Sequence, residues 1–228
     1  MISDEFIKKV RKFILECLFN TGRAPNLKKI MNNFELSKNE VIQILNKLEE
    51  KRHIKRVPGT QNILMALPFS NVTTAHEISL SNGKKFFCNG AIDSLGISFI
   101  FPEQEVSISS YCHHCGEPFE ITLKEGNIII QKPEELFVHL TTPAYHWLDD
   151  LTRTCGSINF FSSKEHVKEW EVEINSKGPI ITLNQALSIT KLINQHRLDL
   201  DYTRPSAQEF NNLLNSLSLV GSFWENPT

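Results

Sequence analysis

The chain has 228 residues, 40% of them hydrophobic and 22% charged, which is the make-up of a folded globular protein and excludes wholesale disorder. The formal net charge of −2 hides an asymmetry, because residues 1–60 carry 13 basic against 7 acidic residues and the remainder 11 against 19. No apolar run approaches the ~20 residues that span a bilayer, and MISDEFIKKVRKF lacks the apolar core of a signal peptide, so the expectation is a cytoplasmic chain with no membrane partner.

Phe6, Val10, Phe13, Ile14, Cys17 and Leu18 recur at helical spacing and predict a first helix over residues 4–20, with Cys17 as a buried core thiol. A short second helix follows Pro25-Asn26. Ser37 with Glu40 three residues later forms a capping box for a third, whose stripe is Val41, Ile44, Leu45 and Leu48. The runs 53–57 and 63–67 around Pro58-Gly59 read as a hairpin. Three helices and a hairpin in that order predict a winged-helix-like N-terminal domain over residues 1–67. Such modules can bind DNA through the third helix, but its outer face of Lys38, Asn39, Gln43, Asn46, Lys47 and Glu50 is mixed, which argues against that partner.

Residues 68–228 form the second predicted domain. Apolar runs at 99–101, 106–110, 119–123, 128–130, 137–140 and 157–161 read as strands with no βαβ rhythm, interrupted by a short helix near Ala91–Leu95. Boxes at Ser162/Glu165, Thr182/Gln185 and Ser206/Glu209 open three later helices. The fold class expected is α+β, with a mainly antiparallel sheet and flanking helices.

Five cysteines are an odd number and too sparse for a disulfide framework, which turns attention to thiol chemistry or metal binding. Cys112-His113-His114-Cys115-Gly116 has the spacing of half a zinc knuckle, so Cys112 and Cys115 are candidate structural zinc ligands. A metal-free turn and a redox dithiol are the other readings, and the two histidines are expected to face solvent. Cys155, placed at the head of a strand two residues from Arg153, is a candidate nucleophile or soft-metal ligand with a lowered pKa. Cys88 and Asp93 flank an Asn-Gly turn at the start of the short helix.

The stretches GKKFFCNGAIDSLGI, SSYCHHCGEPFEI and HWLDDLTRTCGSINFFSSKEHVKEW together resemble the alkylmercury (organomercurial) lyase family. The resemblance implies an enzyme that needs no cofactor. Two thiolates hold the mercury of a small organometallic substrate, and a carboxylate delivers a proton to carbon. It assigns Asp93 as that carboxylate and Cys155 as the second thiol, and implies a structural role for Cys112 and Cys115. Where the family carries its first thiol this chain has Gly90, and Cys88 stands two residues earlier. Either Cys88 reaches the same space or the first thiolate is gone. The alternative functions are a non-catalytic metal- or ligand-binding protein, or a winged-helix regulator with a lyase-like sensing domain.

Overall fold

The computed structural model describes residues 2–224, so residue 1 of the first predicted domain and residues 225–228 of the second lie outside the described part. Helix α1 (Asp4–Thr21) starts where the Ser3 side chain accepts from the Phe6 amide and stops at Gly22, whose φ of 67° is left-handed. Helix α2 (Leu27–Phe34) is capped by Asn26, and α3 (Lys38–Glu50) by the reciprocal Ser37/Glu40 box. Val10, Ile14, Leu18, Ile30, Val41, Ile44 and Leu45 are fully buried where these helices meet. Glu49 near the end of α3 accepts from both the backbone amide and Nε of Arg56, at 2.9 and 2.8 Å, which fixes the helix to the strand that follows.

Strands β1 (Ile54–Arg56) and β2 (Ile63–Ala66) form the expected hairpin. The sheet does not end there. β2 pairs with β3 (Phe69–Ser70), and the order continues through β5 (Lys85–Cys88), β4 (His76–Leu80), β6 (Val106–Tyr111), β7 (Pro118–Lys124) and β8 (Asn127–Lys132), every pairing antiparallel. Between β5 and β6 lie two short helices, α4 (Ala91–Leu95) and α5 (Ile97–Ile100). A second sheet places β9 (Phe137–Leu140) between β10 (Ile158–Phe161) and β11 (Ile180–Thr182). Helices α6 (Leu151–Gly156), α7 (Lys164–Glu173), α8 (Leu183–Asn194) and α9 (Ala207–Ser216) complete the described part. The α+β class with antiparallel sheets is therefore what the chain adopts.

Three local expectations need correction. Residues 99–101 are not a strand, since Ile97–Ile100 make one helical turn with Ile97 and Ser98 buried; an apolar run this short shows no period that separates helix from strand. Helix α7 is capped by Ser163, not Ser162. The Ser163 hydroxyl accepts from the His166 amide at 3.1 Å, while Ser162 turns its Oγ to the His166 ring at 3.0 Å. Cys155 lies in the last turn of α6, not at the head of a strand. The unread signal was Asp150, whose carboxylate accepts from the Thr152 and Arg153 amides and opens that helix.

Two arginines tie the ends of the chain together. Arg11 of α1, only 3% exposed, donates to the carbonyls of Arg197 and Asp199 beyond α8. Arg204 donates back to the carbonyls of Lys51 and Arg52 after α3. The main apolar core runs without a break from α1 to α9.

Candidate active site

Strand β5 ends at Cys88, which pairs across the sheet with Phe69 and His76. The chain then turns because the Asn89 side chain donates to the Pro68 and Phe69 carbonyls at 3.0 and 3.2 Å, so Asn89 replaces the strand pairing it interrupts. Gly90 is the extended N-cap residue of α4, and its carbonyl accepts from the Ser94 amide. Asp93 therefore falls in the first turn of α4. Helix α8 holds α4 in place: Thr190 Oγ1 donates to the Ile92 carbonyl at 2.8 Å, and Asn194 Nδ2 donates to Thr190 at 2.9 Å. A Cβ on Gly96 would lie 2.4 Å from Asn194 Nδ2 and 2.5 Å from Thr190 Oγ1, so this contact needs glycine.

Helix α6 brings Cys155 to α4 from 62 residues away, where its Sγ donates to Asp93 Oδ2 at 3.3 Å. Both groups line a cavity of about 400 Å³. Gly90 and Arg197 share its polar wall, while Tyr145, Trp147, Leu148, Phe210 and Trp224 supply an aromatic and aliphatic side. A shallower depression over α2, lined by Asn26, Lys28, Lys29, Asn32 and Asn33, holds no thiol or carboxylate.

The electrostatics follow from this setting. Burial raises the Asp93 carboxyl to about 6, against the opposing hydrogen bond from Cys155 and the charge of Arg197. Burial, and then the Asp93 charge, push the Cys155 thiol well above the ordinary range. The lowered pKa expected from Arg153 is thus reversed: the arginine that acts on the thiol is Arg197, and desolvation outweighs it. Arg197 is 3% exposed, held by Nε to the Leu67 carbonyl at 3.0 Å and by Nη1 to Tyr202 Oη at 2.5 Å. Sequence reasoning missed this residue, because a single arginine past a helix end carries no local signal.

Cys88 is fully buried and does not line the cavity. It is close enough for the Asp93 charge to add to the burial that raises its pKa, and for Cys88 in turn to raise that of Cys155. The fold thus gathers Cys155, Asp93 and Cys88, but only the first two face the open space.

Cys112 and Cys115 stand apart from the cavity, on the turn between β6 and β7. The Gly116 amide donates to the Cys112 carbonyl and the His113 amide to the Phe160 carbonyl, both at 2.9 Å. Cys112 is buried and Cys115 exposed. Burial works against a Cys112 thiolate, yet the Ser162 hydroxyl and the amides of Cys115, Ser162 and His114 outweigh it and lower the thiol to about 6. The histidines do not simply face solvent. The ring of His113 packs edge-on to Trp170 at 4.6 Å, and the His114 side chain is only 19% exposed between Glu169 and Glu173.

The family model described as "MerB: Alkylmercury lyase" matches residues 69–195, from β3 to just past α8. Alkylmercury lyases of Bacillus cereus and Clostridium butyricum are each 26% identical over 156 residues, 64% of this chain and 66% of theirs, so the match spans just under two thirds of those relatives. A solved structure described as "Crystal structure of the mercury-bound form of MerB2" superposes with a TM-score of 0.66 at 26% identity, covering 86% of this chain and 98% of that one.

Proposed function

The chain belongs to the alkylmercury lyase family, and on that premise we propose that it cleaves the carbon–mercury bond of small organomercurials by protonolysis, with Cys155 capturing the metal and Asp93 carrying the proton. The observation that carries this reading is the 3.3 Å hydrogen bond from Cys155 to Asp93 at the wall of the apolar cavity. Soft sulfur prefers soft mercury. As the sulfur–mercury bond forms, the thiol proton passes to Asp93 and the substrate's original anion leaves. The protonated carboxyl then gives that proton to carbon, R–H departs, and mercury stays on Cys155. A carboxyl at about 6 is suited to both halves of this relay near neutral pH. The aromatic side of the cavity receives the organic group, and no resident cofactor takes part.

Mercury(II) left on one sulfur needs a second soft ligand. Cys88 behind the wall, or a thiol from solution, supplies it. Residues 1–67 serve on this reading as a winged-helix packing module, with residues 68–228 as the lyase unit. The mixed face of α3 gives DNA no basic stripe, and a cytoplasmic setting would keep the thiols reduced.

The test is a defined arylmercury compound incubated with the protein and excess small thiol. Release of the arene, lost in Cys155→Ser, supports the reading. Stoichiometric mercury uptake without arene release would instead favour a mercury-binding protein, the reading that Gly90 in place of a family thiol supports.

A further inference from the structure

We propose that the β6–β7 turn and helix α7 form a zinc site, separate from the mercury cavity, in which Cys112, Cys115 and His166 are ligands and His114 closes the fourth position. The ligand atoms of Cys112, Cys115 and His166 all lie within 4.8 Å of one another. A tetrahedral zinc with bonds of about 2.0–2.3 Å needs its ligands roughly 3.3–3.8 Å apart, so modest contraction closes the set. One edge is already short: Cys112 Sγ is 3.5 Å from His166 Nδ1. The Cys-x-x-Cys-Gly turn keeps the tight backbone of a knuckle, with Gly116 at a φ of 75° and its amide on the Cys112 carbonyl.

A second observation points to a ligand. His114 Nδ1 is buried and makes no hydrogen bond among the described residues, the nearest carboxylate oxygen of Glu169 being 3.5 Å away. The His114 ring lies 5.2 Å from that of His166, and both belong with Glu169 to an overlapping group of potential ligand atoms. A buried donor or acceptor left without a partner is costly, and metal coordination would satisfy it. Two thiolates and two neutral imidazoles are a donor set for zinc, and with both thiols deprotonated the filled site is electrically neutral. Glu173 Oε1, 3.3 Å from His114 Nε2, would orient the ring by accepting from its other nitrogen.

The site would staple a weak corner. Cys112 belongs to a small buried cluster with Phe161 and Val167, flanked by Trp170 and Ile180 and separate from the main core. Zinc would bind the β6–β7 turn to α7 there, where apolar burial is thin.

The test uses the full chain, reduced and stripped with a chelator, then titrated with Zn²⁺ alone and, in parallel, with Co²⁺ as a spectroscopic probe. The expected result is one tightly bound zinc per chain, sulfur-to-cobalt charge transfer with tetrahedral d–d bands, and a higher thermal midpoint with zinc. Cys155→Ser should keep all three. Cys115→Ser, at an exposed position that leaves the fold intact, should abolish the charge-transfer pattern of two thiolates and weaken zinc binding at least tenfold. His166→Ala should weaken it by a similar factor. The proposal is overturned if the reduced protein binds no zinc, if zinc binding survives Cys115→Ser unchanged, or if it vanishes with Cys155→Ser. A Cys112–Cys115 disulfide that forms in preference to zinc uptake would also overturn it, in favour of a redox dithiol.

Discussion

Gly90 packs directly under the backbone of Cys155: a Cβ placed on Gly90 would lie 2.8 Å from the Cys155 carbonyl oxygen and 3.4 Å from its Cα. Helix α6 therefore sits closer to the Asn89-Gly90 turn than any residue with a side chain would permit. The family resemblance puts a thiol at this position, and in this chain any side chain there would meet the Cys155 carbonyl unless α6 shifted.

Restoring that thiol is a steric as well as a chemical change. Gly90→Cys and Gly90→Ala are both expected to lower stability by about 1–3 kcal/mol, the usual cost of overpacking, read from denaturant midpoints. If the cavity is one thiol short, only the cysteine variant gains arene release, and alanine controls for the displacement of α6.

Cys88→Ser and Cys155→Ser should separate the two thiols. Cys155→Ser is expected to abolish mercury retention, because a hydroxyl is a poor ligand for a soft metal. Cys88 lies off the cavity wall, so Cys88→Ser should leave turnover in excess small thiol within about threefold of the parent and the off-rate of the product mercury unchanged. Loss of turnover in Cys88→Ser would instead make Cys88 the second ligand. The measurements are arene release and mercury off-rate to a competing dithiol.

Asp93→Asn should slow carbon release by about 10²–10⁴-fold, the size of a general-acid contribution, without preventing mercury capture. It should also stabilise the protein at pH 7. A carboxyl raised to about 6 in the fold favours the folded state below its ordinary pKa near 4, and that advantage is lost as pH rises through 6. Each pKa unit is worth about 1.4 kcal/mol, so the gain in the variant is expected to reach about 3 kcal/mol at pH 7. It should shrink toward zero as pH falls to 4, as thermal melts across that range would register.

His76 has the opposite sign. Burial, then the charge of His113, lower it to about 4. The unfolded chain takes a proton near 6.5 and the folded one does not, so stability present above 6.5 is lost as pH falls toward 4, by up to about 1.4 kcal/mol per pH unit. His76→Phe should flatten this acid loss. Because Asp93 gains stability over much of the same range, the acid loss should be steeper in Asp93→Asn than in the parent.

Much of the fold was legible from local chemistry. Ser37/Glu40, Thr182/Gln185 and Ser206/Glu209 all form reciprocal capping boxes, and each sat before a clear apolar stripe. The site was legible in its members but not in its geometry. Asp93 and Cys155 stand out as residues, yet their hydrogen bond spans 62 positions and depends on Asp150 starting α6 early enough to place the thiol on a helix. Arg197 and His166 were invisible for a related reason. Arg197 matters only because Leu67 and Tyr202 hold it at the cavity, and His166 because Ser163 caps α7 one residue later than the sequence pattern suggests.

The pairing of β2 with β3 crosses the junction at residue 67, with Met65 opposite Ser70 and Ala66 opposite Phe69. Cutting the chain there would leave β2 with a bare row of amides and carbonyls, and would strip β3, the outer neighbour of β5 beside Cys88, of its own partner strand. Open edges of this kind recruit strands from other molecules. The N-terminal segment is thus the cover of the sheet that carries the turn of the candidate site, and the two halves expressed apart are expected to self-associate, whereas mixed or co-expressed they should heal the seam in each other.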